Sequence, residues 1–482
     1  MPPASPRPRS DCRLNLAGQP RLVCGDGLLS GSDRQPAATP LKGFVAWGPP
    51  SDVIELFRGP IGYRTGAVDL PPLIGSIALV LRSGSHLLWT VDLETAPEVE
   101  RYEWRYRTEP STETLNFDFL GSHLELTCRM TSDGRGDVPG DRTGDGDDRH
   151  IVSVTAHWVN LPNLRAGSLL HEDHEQGWSE WAGRWQMSLA GWTVTIDSRR
   201  DLGEVLTAAQ RDYLHVVTHT MEVRREDHAT FSGSSVDDFL TGLQFAMSFA
   251  VGRWTAPVLA VGLDSFNAVV WSLWAPLHVD TPARGSGRWW VEHRPEDLKA
   301  FLSVFMGDWV RPGERETLNF ALTSAIAAGE SGFVEQRIMT SLAALENLSW
   351  TTEVLQAGSD EAKWGQAGAA WRVRRLMTRA KVPLGIKREN SPGLWSYARA
   401  NGLGDGPAAL IAIRNAVTHP KDTGSLYEEP GLVGEASRLC SRYLDLAILH
   451  RLGYQGQVAD RTRTYGWAGE CEPVPWAEPE SG

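Results

Sequence analysis

The 482-residue chain has no apolar run approaching the ~20 residues of a membrane-spanning helix, so nothing in it reads as a bilayer span. Its first forty residues are rich in Pro, Arg, Ser and Gly but lack the apolar segment of a secretory signal, and they are expected to form a disordered leader. Cysteine is scarce. The five that occur, Cys12, Cys24, Cys128, Cys440 and Cys471, show no paired spacing of a zinc site or a disulfide framework. A reducing cytoplasm is the expected setting, with no metal and no other cofactor. The chain also lacks net positive charge: 47 Lys and Arg stand against 60 Asp and Glu, giving −13. A nucleic-acid partner therefore needs a locally basic surface.

Several suggestive strings lack what their chemistry requires. Gly59-Pro60-Ile61-Gly62 with Gly66 has no following Lys-Ser/Thr and is read as punctuation between strands, not a phosphate loop. His171-Glu172-Asp173-His174-Glu175 falls short of HExxH because position 175 is Glu. Trp178, Trp181, Trp185 and Trp192 are either core or an aromatic platform, core being the commoner fate. Asp133 to Asp148, rich in Gly and Asp and without EF-hand spacing, is expected as a flexible excursion.

What is present divides by period. From about Gly43 to Pro282 apolar residues alternate, as in Tyr102-Trp104-Tyr106, Leu115-Phe117-Phe119, Leu124-Leu126-Cys128, Val152-Val154-Ala156-Trp158 and Trp192-Val194-Ile196. A helix over Val236–Val251 and strands near Val258–Leu263 and Val269–Leu273 complete this half. The expectation is a mainly-β, sandwich-like domain with a packed helix. After about residue 285 the period becomes helical. Connecting helices occupy Pro295–Ala328, and four further helices are expected at Phe333–Trp350, Asp360–Arg379, from Asp405 to near His419, and Leu432–Leu452. Asp405 is placed to cap the third, with Pro407 in its first turn and Pro420 forcing its end. Four amphipathic helices with short connections predict an all-α four-helix bundle. The division is 1–42 leader, 43–284 β-rich domain, 285–330 connecting helices, 331–460 helical domain and 461–482 flexible tail.

Charge is concentrated in the helical half. Between Lys363 and Lys421 eleven basic residues face two acidic ones, Glu389 and Asp405, a local charge of +9 (11 − 2). Such a stretch is either a solvated helix face or a phosphate-binding surface, with Arg372, Arg375, Arg379 and Lys421 as candidate RNA contacts. The third helix ends in Arg414-Asn415-Ala416-Val417-Thr418-His419-Pro420. Arg414 offers a permanent planar cation for a phosphate under attack, and a histidine can lend or accept a proton near neutral pH. Attack by the substrate's own 2′-hydroxyl would make this metal-free chemistry specific to RNA. Each chain carries one histidine there, which favours a homodimer presenting two sites to one cleft.

The segment Arg414, Asn415 to His419, with Ala344-Leu345-Glu346-Asn347-Leu348, Arg372 to Leu376, Tyr443-Leu444 and Leu452-Gly453-Tyr454-Gln455-Gly456, resembles the ApeA-type HEPN family over about 140 residues. The β-rich half resembles the domain that precedes HEPN in ApeA proteins. The resemblance implies a HEPN endoribonuclease with Arg414, Asn415 and His419 as its motif and Glu346 as support for the arginine. It further implies a homodimer through the third and fourth helices and a role in anti-phage abortive infection, the N-terminal domain sensing a phage-derived trigger or restraining the nuclease. The alternative is a non-catalytic HEPN module that dimerises or binds nucleic acid.

Overall fold

Alternating burial in Val53–Thr65 (β1) and Val68–Val80 (β2) builds a long hairpin whose turn places Gly66 at φ +57°, a conformation glycine adopts without strain. The computed structural model describes residues 37–81, 85–98, 101, 113–132, 134–143, 150–165, 167–175, 177–282, 289–311, 313–329, 332–419, 425–463 and 470–477. With His86–Val91 (β3), Glu113–Phe119 (β4), Ser122–Ser132 (β5) and Arg135–Asp137 (β6), the hairpin closes into a barrel of order β1-β2-β3-β6-β5-β4. Closure depends on β1 bending at two register shifts so that Gly62–Arg64 reaches Thr114–Asn116 of β4. Gly75 is needed where β2 passes β3, because a Cβ there would sit 2.3 Å from the Thr90 carbonyl oxygen. Leu115, Phe117 and Phe119 point into the barrel opposite Leu126 and Leu124, as their alternation predicts.

Among the described residues ten further strands follow. Eight of them, Asp141–Thr143 (β7), Ser153–Val159 (β8), Ser168–His174 (β9), Gly177–Leu189 (β10), Trp192–Ser198 (β11), Val217–Arg225 (β12), Ala256–Leu263 (β13) and Val269–Trp274 (β14), form one antiparallel sheet of order β7-β14-β13-β8-β12-β11-β10-β9. All seven residues of the central β8 are buried. Its two faces serve different cores. Val159, Val217, Val258, Val261 and Trp274 join the barrel's interior, whereas Val154, Ala156, Trp158, Trp185 and Val194 join a core made with helices.

Those helices are Leu202–Asp212 (α1), Gly233–Val251 (α2), Pro295–Trp309 (α3), Glu314–Ala327 (α4), Val334–Trp350 (α5), Glu361–Gln366 (α6), Ala369–Arg379 (α7), Pro392–Ala400 (α8), Gly406–Thr418 (α9), Ser425–Glu428 (α10) and Leu432–Arg451 (α11). A π-helical turn, Thr351–Gln356, continues α5. A short hairpin of Gln457–Ala459 (β15) and Cys471–Pro473 (β16) closes the chain's described part. Asp405 caps α9 by accepting from Ala408 N at 2.9 Å, with proline in the first turn, and the helix stops at Thr418.

Two expectations of fold class are corrected. The β-rich half is not a sandwich but a closed barrel joined to an eight-stranded sheet, on which the expected helix, α2, does pack. The helical half is not an all-α four-helix bundle, and the protein is mixed α/β. Leu342, Leu345, Leu410 and Leu449 share one continuous core with Trp158, Trp185 and Val194 of the sheet, and Val458 of β15, with Val474 and Trp476 just after β16, adds to it. Periodicity reports which face of an element is apolar and is silent about which elements share a core.

Local differences have local causes. The helix expected over Asp360–Arg379 is broken into α6 and α7 at Ala367 and Gly368, both extended. The excursion expected over Asp133–Asp148 contributes β6 and β7. Of the expected tail, Arg461 pairs with buried Asp445 at 2.8 Å and Val474 and Trp476 are buried, while residues 464–469 and 478–482 lie outside the described residues. At the other end the expected leader reaches residue 42, yet Ala38 bridges Leu170 and Leu41 N donates to Asp197 at 2.8 Å; residues 1–36, with Cys12 and Cys24, lie outside the described residues. So do the alternating Tyr102-Trp104-Tyr106 and the boundary near 285. Among the described residues no helix is long and apolar enough to cross a membrane.

Candidate functional site

Helix α7 carries Arg372, Arg375 and Arg379 at spacings of three and four, which places them on one stripe. Opposite them, α5 and its π turn carry Glu346 and Glu353, seven residues apart. Glu346 is shared: its Oε2 accepts from Arg372 at 3.2 Å and its Oε1 from Arg414 of α9 at 3.3 Å. Glu353 is shared in the same way, by Arg375 and, at 2.5 Å, by Arg379. Two carboxylates thus hold four guanidiniums, and the row keeps a surplus of two positive charges (4 − 2).

The two nodes differ in depth. The Glu353 side chain is fully buried, whereas those of Arg375 and Arg379 are 45% and 40% exposed. Burial acts to raise the Glu353 carboxyl, and hydrogen bonds from Arg379 and Arg375 outweigh it, holding the group below the usual carboxylate range. At the Glu346 node all three side chains are about one-fifth to one-quarter exposed. There the Nε atoms of Arg372 and Arg414 are buried with no acceptor among the described residues. A buried donor without a partner calls for a reason, and an anionic ligand is one. Along a helix rising 1.5 Å per residue, Arg372 and Arg379 lie roughly 10 Å apart, about three stacked nucleotide steps.

Aromatic rings interleave with the cations. The Arg372 guanidinium lies 4.0 Å from the centre of the Trp364 ring, Arg375 is 5.5 Å from Trp371, and Arg388 and Arg399 are 4.9 and 5.0 Å from Trp395. Arg374, beside Arg375 on α7, binds both oxygens of Asp405 at 2.5 and 3.1 Å, so the residue that caps α9 also ties it to α7.

The sequence-predicted residues are brought together in part. Arg414 meets Glu346 and, through it, Arg372. His419 follows the last residue of α9 with φ −130° and an exposed side chain, its N–H donating to the Asn415 carbonyl at 2.8 Å. No described hydrogen bond joins Arg414 to His419. Asn415 is exposed. Lys421 and Pro420 lie outside the described residues. In the fourth helix, α11, expected to take part in a dimer surface, residues are buried or half-buried. Sequence reasoning missed Glu353, whose signal was its spacing of seven from Glu346.

The other candidates disperse. Trp185 and Trp192 are core, Trp181 donates to the Ser198 carbonyl at 3.0 Å, and only Trp178 is exposed, stacked on His171. His171 sits 3.1 Å from Asp173 and 3.5 Å from Glu180, and no His, Cys, Asp and Glu group among the described residues has metal-holding geometry. His219 is buried within β12.

Comparison with known proteins overturns the resemblance to ApeA and HEPN. Residues 146–285 match the family model of the YopA central domain and residues 313–472 that of the YopA C-terminal domain, so the segment from Arg414 to His419 falls inside the latter. Leu345, Leu348, Tyr443, Leu444 and Tyr454, which helped to carry the resemblance, are buried core positions that packing alone requires to be apolar or aromatic. No solved structure matches. The SPbeta prophage-derived uncharacterized protein YopA of Bacillus subtilis (strain 168) is 25% identical over 323 residues, 66% of this chain and 70% of that protein, and it is the YopA domains that the sheet and the helical region resemble.

Proposed function

We propose that the helical region binds single-stranded RNA by its phosphodiester backbone, along the row formed by Arg372, Arg375, Arg379 and Arg414. The observation that carries this reading is the sharing of Glu346 and Glu353, each between two arginines. A one-to-one ladder would be neutral, a structural clasp and nothing more. Two cations per carboxylate leave guanidinium edges for phosphate oxygens, to which arginine donates in pairs. Neighbouring tryptophans supply faces on which bases can stack. Replacing Arg372 and Arg379 with Gln is expected to weaken RNA binding and flatten its salt dependence, read by fluorescence anisotropy.

A second reading adds cleavage. His419 stands exposed at the end of the helix that bears Arg414. The substrate's 2′-oxygen would bond to phosphorus while the bond to the 5′-oxygen breaks. One imidazole would take the hydroxyl proton and another would supply a proton to the leaving oxygen, with Arg414 facing the phosphate charge. A second chain would have to bring its histidine to the exposed end of α9. Cleavage in EDTA leaving 2′,3′-cyclic phosphate ends, lost in His419→Ala, supports this reading; intact RNA removes it and leaves the binding reading standing. The defence role rested on the overturned resemblance alone.

A further inference from the structure

At the Glu353 end of the row the surface folds inward. Glu353, Trp371, Arg374, Arg375, Thr378 and Arg379 line a cavity of about 450 Å³, within the range of small-molecule sites. The geometry points to a phosphate-monoester site: we propose that this cavity takes the terminal phosphate of a nucleotide or of an RNA end. The inference deepens the RNA-binding reading and rests on it for the position of the chain's backbone.

Three features argue for a monoester. First, the guanidiniums are held from behind. Arg375 and Arg379 each give their Nε to the buried Glu353, and Arg374 gives Nε and one Nη to Asp405. Each guanidinium has five donors, so several remain on every one. Their positions are fixed before a ligand arrives, which lowers the ordering cost of binding. Second, charge fits. Three arginines and two carboxylates leave +1 (3 − 2) around the cavity, and a monoester carries roughly −1.5 to −2 at neutral pH, more than the single charge of a backbone diester. The dianion gains more from the same donors. Third, the wall is mixed. Trp371 offers an apolar face to a base, and Thr378, exposed at the mouth, offers a hydroxyl.

Glu353 reaches this place because the helix changes pitch. It lies on the π turn Thr351–Gln356, and such turns displace a side chain from its ordinary angular position. Fully buried, it anchors both Arg375 and Arg379.

The test uses the full chain in calorimetric titrations with AMP, inorganic phosphate and adenosine, and with one short RNA carrying either a 5′-phosphate or a 5′-hydroxyl. AMP and phosphate are expected to bind and adenosine not to. Arg379→Gln should weaken AMP by about tenfold, a loss of about 1.4 kcal/mol. Trp371→Ala, at a partly exposed position, should weaken AMP but not inorganic phosphate, and it keeps the test open if Arg379→Gln unfolds. A preference for the 5′-phosphorylated over the 5′-hydroxyl RNA that is lost in Arg379→Gln, and that persists in Arg372→Gln while both RNAs weaken together, would identify an RNA end as the source. Binding of AMP with no RNA binding would identify a free nucleotide and overturn the backbone reading instead. RNA bound equally with either end, with no AMP binding at about 1 mM, a threshold of only ~4 kcal/mol, overturns the inference and leaves the backbone reading intact.

Discussion

Replacing Glu346 with Gln separates a structural clasp from an anion-binding row, because the two roles predict opposite effects. Glu346 accepts from Arg372 and Arg414 at 3.2 and 3.3 Å with about one-fifth of its side chain exposed. Hydrogen bonds to charged groups contribute roughly 1.5–3 kcal/mol each when buried, and partial solvation with one amide oxygen retained brings the expected loss to about 1–2 kcal/mol. In a protein of this size that lowers the melting temperature by about 2 °C. RNA binding should move the other way. A phosphate held by the outer edges of both guanidiniums would lie about 6 Å from the carboxylate, and two unit charges at that distance in water repel by about 0.7 kcal/mol. Removing the charge should tighten RNA about threefold at low salt, less where the Debye length falls to about 8 Å. Thermal melts and anisotropy titrations on the same preparation read both effects. An RNA affinity that stays the same or falls in Glu346→Gln would refute the reasoning.

Three other outcomes follow from the same structure. Burial lowers His157 to about 4 and His219 to about 3, and the Nε2 of His157 accepts from the backbone N–H groups of Phe44 and Val45, which its protonation would break. Both folded values lie below the ordinary ~6.5, so the unfolded chain takes up protons first. Stability is therefore full above about pH 6.5 and falls as the pH drops towards 4, by about 4 kcal/mol between pH 7 and pH 5 for the two together; urea melts of His157→Gln should show about half that dependence. Asp405→Ala removes both a helix cap and the partner of Arg374 and should cost about 2 kcal/mol, whereas Asp405→Asn, which still caps, should recover about half of that in denaturant melts. Because sheet and helices share one core, calorimetry should show them melting in a single transition, and a separate helical transition would contradict the continuity of that core.

Elements with strong local signals were legible in the sequence. Asp405 and Pro407 announced α9, alternation announced β4, β5, β8 and β11, and the apolar run near Phe239 announced α2. The barrel was not legible, because β1 and β2 contain the Gly59-Pro60 and Pro71-Pro72 pairs that usually punctuate strands, and closure is a property of register rather than of any one segment. Of the site, the arginines were visible as a basic stretch, and the pairing of Glu346 with Arg414 was expected. The sharing of each carboxylate by two arginines was not, since it depends on α5 and α7 lying side by side and on the π turn carrying Glu353 inward. Family resemblance misled because the short apolar helix strings that supported the Arg414–His419 segment reflect packing, and that segment falls inside the YopA C-terminal domain match.

The most direct test of the central claim is the salt dependence of single-stranded RNA binding by the full chain. For an RNA held by four arginines, log K should fall against log salt with a slope of about −3, and each Arg→Gln at 372, 375, 379 or 414 should reduce the slope by about 0.7. A slope near zero, or one that none of the four replacements changes, would contradict the claim.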